Sequence, residues 1–214
     1  MKNILITGFR SFGKYKANST EQFLKSHSVL GDLYLHSFIF SASTFANDAE
    51  DFGFEVVKTA RALKAVAIIS LGMASDVKGL RIETRAINWS AGKYCLDFEK
   101  ERKLNPLYPG WDTKEVNLKH WDIDFMFKNL TDLNIKFEKE MSDKAGTYCC
   151  NALMYRILTA LGSASDIPYI FLHIPCSAEA VADLDDFAKD KDLITAETLQ
   201  EILLVVSESI RIKD

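Results

Sequence analysis

One apolar run constrains the fold of this chain more than any other feature. The segment AVAIISLG, from Ala65 to Gly72, shows no alternation of apolar and polar residues. Such a run is typical of a strand buried on both faces, as at the centre of a parallel sheet covered by helices. The segments KNILITGF near the start and PYIFLHIP from Pro168 to Pro175 are also predicted as strands. The sequence therefore favours a sheet that lies in the interior.

Segments with helical periodicity separate these strands. Helices are predicted from Ile123 to Leu133, from near Gly146, and in two stretches whose apolar residues recur at helical spacing: Phe45, Phe52, Val56, Val57 and Ala60, and Leu199, Ile202, Leu203, Val206 and Ile210. Further strands are predicted at LYLHSFIF, RIETRAINW and IKFEKEM, the second with one polar face. This alternation predicts an α/β fold, a three-layer α/β/α sandwich around a largely parallel twisted sheet. A chain of 214 residues is short enough to form one domain, residues 1–214.

Charge and hydropathy argue against two classes of partner. The formal net charge is −4, and no stretch gathers enough Lys and Arg to attract a phosphate backbone. The apolar run of MKNILITGF is too short and too interrupted for a signal peptide or a membrane span. We therefore expect no nucleic-acid partner and no membrane insertion, and a cytoplasmic location.

The spacing of the cysteines fits a reducing compartment. Cys95, Cys149, Cys150 and Cys176 have no disulfide-framework spacing, and neighbouring cysteines rarely bridge to each other because the geometry is strained. No Cys-x2-4-Cys pair is present, and the four histidines are scattered. The expectation is reduced thiols and no metal site.

Residues with chemical potential follow several of the predicted strands. Ligands bind outside the carboxyl ends of strands in open α/β sheets, which draws attention to TGFRSFG, SLGMAS, Glu83 and His173. TGFRSFGK lacks the Ser or Thr of a phosphate-binding loop, but its two aromatics, Phe9 and Phe12, either pack under the sheet edge or form walls of a flat apolar pocket. His173 taken alone indicates a buried structural histidine more than a catalyst, and Glu83 taken alone indicates a solvated carboxylate on an exposed strand face.

The adjacent pair Cys149 and Cys150 offers more specific chemistry. Both lie near the predicted start of a helix, where the dipole and free N–H groups favour a thiolate. Successive helical residues point about 100° apart, so only one of the two sulfur atoms can readily face a shared pocket. The alternative for both is a small buried hydrophobic residue.

Four segments together, in order along the chain, resemble the pyroglutamyl peptidase I family of cysteine peptidases, also called pyrrolidone-carboxylate peptidases. They are ITGFRSFG with Asn18 shortly after, LGMASDVKGLRIETRAIN, SDKAGTYCCNALMY and FLHIP. The family uses a Cys-His-Glu triad on an α/β/α sandwich to remove an N-terminal 5-oxoproline from peptides. The resemblance implies this activity, no cofactor, a peptide with N-terminal pyroglutamate as partner, and a homo-oligomer as a further expectation.

The same resemblance assigns roles to individual residues. The nucleophile falls on Cys150, directly before Asn151, the base on His173, and the acid that orients the base on Glu83. Two groups of residues are expected at the substrate: Phe9 and Phe12 around the lactam ring, and Tyr148 and Cys149 along the pocket, largely through backbone.

Four positions depart from the family pattern. A Gly-rich run ending in Arg is replaced here by residues 73–77, from Met73 to Val77, the Arg after the catalytic Glu by Thr84, and an active-site Arg by Lys93. Lys keeps the charge but lacks the planar fork of Arg. Met73 and Lys93 are expected near the substrate. Two alternatives follow, a non-hydrolytic homologue that binds a pyroglutamyl-like ligand or acts in regulation, and a peptidase of shifted specificity.

Overall fold

The computed structural model describes residues 1–41, 44, 52–88, 107, 109, 112–143, 145–184 and 192–211. The strands in these ranges are β1 Lys2–Phe9, β2 Val29–Leu30, β3 Leu33–Phe40, β4 Ala67–Met73, β5 Arg81–Glu83, β6 Arg85–Ile87, β7 Thr113–Glu115 and β8 Tyr169–Ile174. The helices are α1 Ser19–Ser26, α2 Phe52–Ala62, α3 Ile123–Asp132, α4 Cys149–Leu161, α5 Ala178–Val181 and α6 Ala196–Glu208, with a 3₁₀ turn at Leu118–His120.

The three buried runs form the centre of a six-stranded sheet of order β2-β3-β1-β4-β8-β5. Strands β3, β1, β4 and β8 are parallel, while β2 and β5 are antiparallel edge strands. Every residue of β4 and β8 is buried, as their continuous apolar sequences predict. The largely parallel sheet is therefore confirmed.

Helices cover both faces of this sheet. On one face α1, α3 and α6 contribute Phe23, Leu130 and Leu203 to a core with alternate residues of the strands. On the other face α2 and α4 contribute Val56, Leu153 and Ile157. The fold is the predicted α/β/α sandwich.

The strand prediction for RIETRAINW is only partly correct. The segment divides into β5, which joins the main sheet, and β6, which pairs with β7 in a separate two-stranded sheet. Between them, the N–H and the hydroxyl of Thr84 both donate to the carbonyl of Ser142, at 2.7 and 3.0 Å. Glu83 is fully buried, so the reading of a solvated carboxylate is wrong.

The prediction of a strand at IKFEKEM is wrong. The backbone of this segment and of the next residue, Ser142, pairs with the sheet through isolated bridges, Leu80 with Phe137 and Glu83 with Ser142. The segment runs beside β5 and bonds to it at separate points, so no continuous ladder forms. Phe45, predicted in the helix that contains α2, lies outside the described residues. None of the helices in the described ranges is long and apolar enough to cross a membrane.

Gly53 allows α2 and α4 to pack closely. A Cβ atom at Gly53 would lie 2.5 Å from both the carbonyl carbon and the oxygen of Arg156, which are backbone atoms of α4. Beside this contact, the guanidinium carbon of Arg156 lies 4.9 Å from the centroid of the Phe52 ring. The close spacing of α2 and α4, the helix that begins at Cys149, therefore depends on the lack of a side chain at Gly53.

Gly53→Ala should destabilise the protein, because α2 must shift away from rigid backbone to accommodate the methyl group. Overpacking of this kind typically costs about 1–3 kcal/mol. Urea unfolding measures the loss, and Lys58→Ala on the exposed side of α2 is the control, with an expected change within about 0.5 kcal/mol. Equal midpoints for Gly53→Ala and the control would contradict the close contact.

Candidate active site

The first turn of α4 carries both adjacent cysteines. The helix begins at Cys149, and the preceding residue, Tyr148, is extended and gives it no side-chain cap. The side chain of Asn151 fixes this turn against β6: its Oδ1 accepts from the N–H of Ile87 and its Nδ2 donates to the carbonyl of Ile87, each at 2.9 Å. The predicted placement of both thiols at a helix start is confirmed.

His173 and Glu83 form a buried pair on neighbouring strands. Nδ1 of His173, on β8, lies 2.7 Å from Oε1 of Glu83, on β5. The side chain of Glu83 is fully buried and that of His173 is 8% exposed. A hydrogen bond from Nδ1–H to the carboxylate fixes the orientation of the imidazole and leaves Nε2 for other partners.

The imidazole of His173 lies over Gly72 of the central strand β4. A Cβ atom at Gly72 would lie 2.8 Å from Cδ2 and 3.0 Å from Nε2 of this ring. His173 also forms a hydrogen bond with Cys150. Because Nδ1 faces Glu83, Nε2 is the nitrogen available to the thiol. The structure therefore brings Cys150, His173 and Glu83 together in the order of the predicted triad.

The charges around His173 favour its protonated form. Burial alone would lower the pKa of His173, but the charge and hydrogen bond of Cys150, followed by those of Glu83, outweigh it and raise the pKa to about 10. An unfolded histidine titrates near about 6.5. Protonation of His173 therefore stabilises the fold fully below that pH, and this contribution disappears as the pH rises through the folded-state value.

The predicted substrate contacts occupy different depths. Phe9 ends β1 and is only 6% exposed, packed in the core beneath α2 and α4. Phe12, in the following loop, is half-buried and packs in a small cluster that contains Met73, the last residue of β4. Tyr148 and Cys149 are half-buried beside the α2–α4 core. Lys93 lies outside the described residues.

Two departures from the family pattern take on other roles. Val77 is 3% exposed, so an apolar side chain is buried there. Thr84 connects the end of β5 to Ser142 through the two hydrogen bonds described above. Both positions therefore contribute contacts within the protein.

The sequence reasoning missed a chain of hydroxyl groups beneath the site. Thr7 donates to Oγ of Ser70 at 2.7 Å, and the hydroxyl of Tyr169 donates to the same atom at 3.1 Å. Burial, followed in smaller part by the charge of Cys150, raises the pKa of Tyr169 and keeps it a neutral donor. Single polar residues inside the three buried runs were the available signal for this network.

A separate cavity of about 440 Å³ lies between α1, the start of α6 and the segment after β8. Its lining includes Gln22, Ser177 and Thr195, and none of the predicted site residues. We place the candidate site at Cys150 instead, because among the residues that the structure describes a thiol, an imidazole and a carboxylate meet only there. In the described ranges no group of His, Cys, Asp and Glu could hold a metal ion.

Glu83→Gln should lower the pKa of His173, because glutamine keeps an acceptor for Nδ1 but removes the negative charge. The midpoint is measured by NMR titration of the Cε1 proton of His173, whose signal is identified by its absence in His173→Gln. We expect His173 to remain largely protonated at pH 8 in the unmodified protein and to lose its proton at lower pH in the variant. The same midpoint in both proteins would exclude the charge of Glu83 as a contributor to the raised pKa of His173.

Comparison with known proteins tests the resemblance. Residues 2–210 match the family model of pyroglutamyl peptidase. A pyrrolidone-carboxylate peptidase of Halalkalibacterium halodurans is 27% identical over 92% of this chain and 96% of its own length. Another, of Oceanobacillus iheyensis, is 30% identical over 83% of this chain and 85% of its own length.

Solved structures show the same fold. A mutant pyrrolidone carboxyl peptidase of the hyperthermophile Pyrococcus furiosus superposes with a TM-score of 0.77, covers 97% of both chains and is 23% identical. The end-to-end family match and the relatives confirm the resemblance and favour a peptidase over a non-hydrolytic homologue. This chain belongs to the pyroglutamyl peptidase family of cysteine peptidases.

Proposed function

We propose that this chain hydrolyses the peptide bond after an N-terminal pyroglutamate residue, with Cys150 as nucleophile. The observation that carries the proposal is the contact series from Glu83 through His173 to Cys150. A thiol at a helix start, beside an imidazole oriented by a carboxylate, is the arrangement that activates a cysteine for acyl transfer. Membership of the family supports pyroglutamyl peptides as the substrate class.

The geometry supports a two-step mechanism. In the proposed first step Cys150 reacts as a thiolate paired with the imidazolium of His173, and its sulfur attacks the carbonyl carbon of the peptide bond that follows the pyroglutamyl ring. N–H groups at the start of α4 stabilise the oxyanion, and the imidazolium gives its proton to the leaving amine as the peptide bond breaks. Neutral His173 then takes a proton from water, whose oxygen attacks the thioester. Cys150 leaves as a thiolate, His173 keeps the proton, and the product acid loses its own proton to solvent, so the starting pair of imidazolium and thiolate is restored.

Two kinds of contact would hold the pyroglutamyl ring. Phe12 and Met73 share one apolar cluster and would contact the ring, while Phe9 lies deeper, in the core beside α2 and α4. Tyr148 and Cys149 would line the opposite side through their backbone, at the start of α4. The role of Lys93 stays a prediction.

The domain organisation, the cellular location and the assembly of the chain are also proposals. We propose that residues 1–214 act as one domain in the cytoplasm, where a reducing environment keeps a catalytic thiol active. In the described ranges Cys149, Cys150 and Cys176 form no disulfide bond. Assembly into a homo-oligomer stays a prediction.

The two adjacent cysteines provide a matched pair of variants for the proposed function. Cys150→Ser should reduce hydrolysis of a pyroglutamyl fluorogenic amide by at least about a thousandfold, because the activated thiolate is lost. Cys149→Ser should keep most of the activity, because its side chain takes no part in the reaction. The assay is run with a reducing agent from mildly acidic to mildly basic pH. Absence of activity in the unmodified protein at every pH would contradict the proposal.

The position of the imidazole is tested by Gly72→Ala. The added methyl group would lie within 3.0 Å of the ring and displace it, and a shift of about 1 Å in a catalytic group can cost about a hundredfold in rate. We expect kcat to fall at least about tenfold, with a urea midpoint that shows the variant to be folded. An unchanged kcat would mean that His173 does not act from this position.

A further inference from the structure

A charged group that the triad does not use lies directly beside His173. Arg81 of β5 is the cross-strand partner of His173 in the antiparallel pair β5–β8. Directly opposed residues in such a pair project from the same face of the sheet. Arg81 is therefore a lateral neighbour of the imidazole.

Two carboxylates fix the position of this arginine. Glu138 binds it through both oxygens, at 2.7 Å from Nε and 3.0 Å from Nη2, and also accepts from the N–H of Lys78 at 3.3 Å. On its outer side, Nη1 of Arg81 lies 3.1 Å from Oδ2 of Asp76. The group holds two negative charges and one positive charge, so its net charge is negative.

Asp76 lies where this group reaches solvent. Its side chain is 71% exposed, compared with 19% for Arg81. Partial burial would raise the pKa of Asp76, but the hydrogen bond and charge of Arg81, with a contribution from the charge of His173, lower it. Asp76 is thus ionised and within electrostatic reach of the imidazole.

The loop after β4, which carries Asp76, also contacts the aromatic residues of the proposed pocket. Ser75 forms a side-chain hydrogen bond with Tyr15, which packs edge-to-face on Phe12 with ring centroids 5.4 Å apart. Asp76 therefore lies on a rim that joins the proposed ring-binding residues to His173.

We propose that Asp76 makes this peptidase prefer a basic residue directly after the pyroglutamate. The inference rests on the proposed function, in which the pyroglutamyl ring lies against Phe12 and Met73 and His173 gives its proton to the leaving amine. The side chain of the following residue then extends past His173 towards solvent, where Asp76 is exposed. A negative group there attracts Lys or Arg and repels Glu or Asp.

The expected preference is modest, because the rim is exposed to water. Two unit charges about 8 Å apart in a highly polar medium change an equilibrium by about two- to fivefold. The cation Lys14 also lies beside this rim, with its Nζ 5.9 Å from the centroid of the Tyr15 ring. Its charge acts against a basic substrate, so removing Lys14 and removing Asp76 have opposite effects.

Three peptides that differ only in the second residue test the inference. The peptides carry Lys, Gln or Glu after the pyroglutamate, and kcat/KM is obtained from the release of free pyroglutamate. In the unmodified protein we expect Lys to exceed Gln, and Gln to exceed Glu, by about two- to fivefold at each step at low salt. The differences should shrink towards equality at about 1 M salt, where screening acts over about 3 Å.

Variants connect the preference to the rim. Asp76→Asn should bring the Lys-to-Gln ratio to about one or below, because the cation Lys14 remains, whereas Lys14→Met should increase the ratio. Asp132→Asn is the control, an exposed and ion-paired aspartate on α3 across the sheet, and it should leave the ratio unchanged.

The outcomes separate this inference from the function on which it rests. Equal kcat/KM for the Lys and Gln peptides at low salt, a preference insensitive to salt, or a ratio unaltered by Asp76→Asn would overturn the role of Asp76. Hydrolysis of none of the three peptides by the unmodified protein would contradict the proposed function instead. The salt dependence needs no variant, so the inference remains testable if Asp76→Asn does not fold.

Discussion

The site is built around one hydrogen bond, between Glu83 and His173, and the strand order of the sheet is what brings the two side chains together. A carboxylate with no exposed surface loses its hydration and needs compensation. Oε1 has the imidazole, while Oε2 has no hydrogen-bond partner among the described residues. An imidazolium beside the carboxylate supplies much of the missing stabilisation through its charge. The protonated histidine is thus as important to the carboxylate as the carboxylate is to the histidine.

The strand order makes this contact available. Edge strand β5 runs antiparallel to β8, and its three-residue length ends at Glu83, directly before the chain leaves the main sheet at Thr84. Glu83 is the cross-strand partner of Phe171, and His173 lies two residues further along β8. Residues two apart on a strand share a face, so the side chains of Glu83 and His173 project from the same face of the sheet. The two hydrogen bonds of Thr84 to Ser142 then hold this exit in place.

The sandwich was predictable because burial on both faces leaves an unmistakable pattern in β4. The triad needed the family resemblance, since Glu83 and His173 are 90 residues apart and local patterns do not show which strands become neighbours. The same reason explains why the binding of Arg81 by Glu138, 57 residues away, was missed. Segment 135–141 was wrongly predicted as a strand. Alternation of apolar and polar residues indicates only that one side of a segment is exposed. An extended segment beside an edge strand can show this pattern without forming a continuous hydrogen-bond ladder.

Either of the two neighbouring thiols at the start of α4 could face the imidazole, and the hydrogen bonds of Asn151 determine which one does. Rotation of the first turn of α4 by one residue would bring Cys149 towards the position of Cys150, since successive side chains differ by about 100°. The amide of Asn151, bonded at both ends to the backbone of Ile87, prevents that rotation. Which sulfur meets the imidazole is therefore decided by a side chain with no part in the chemistry, and reactivity at this site is a property of helix orientation rather than of cysteine itself.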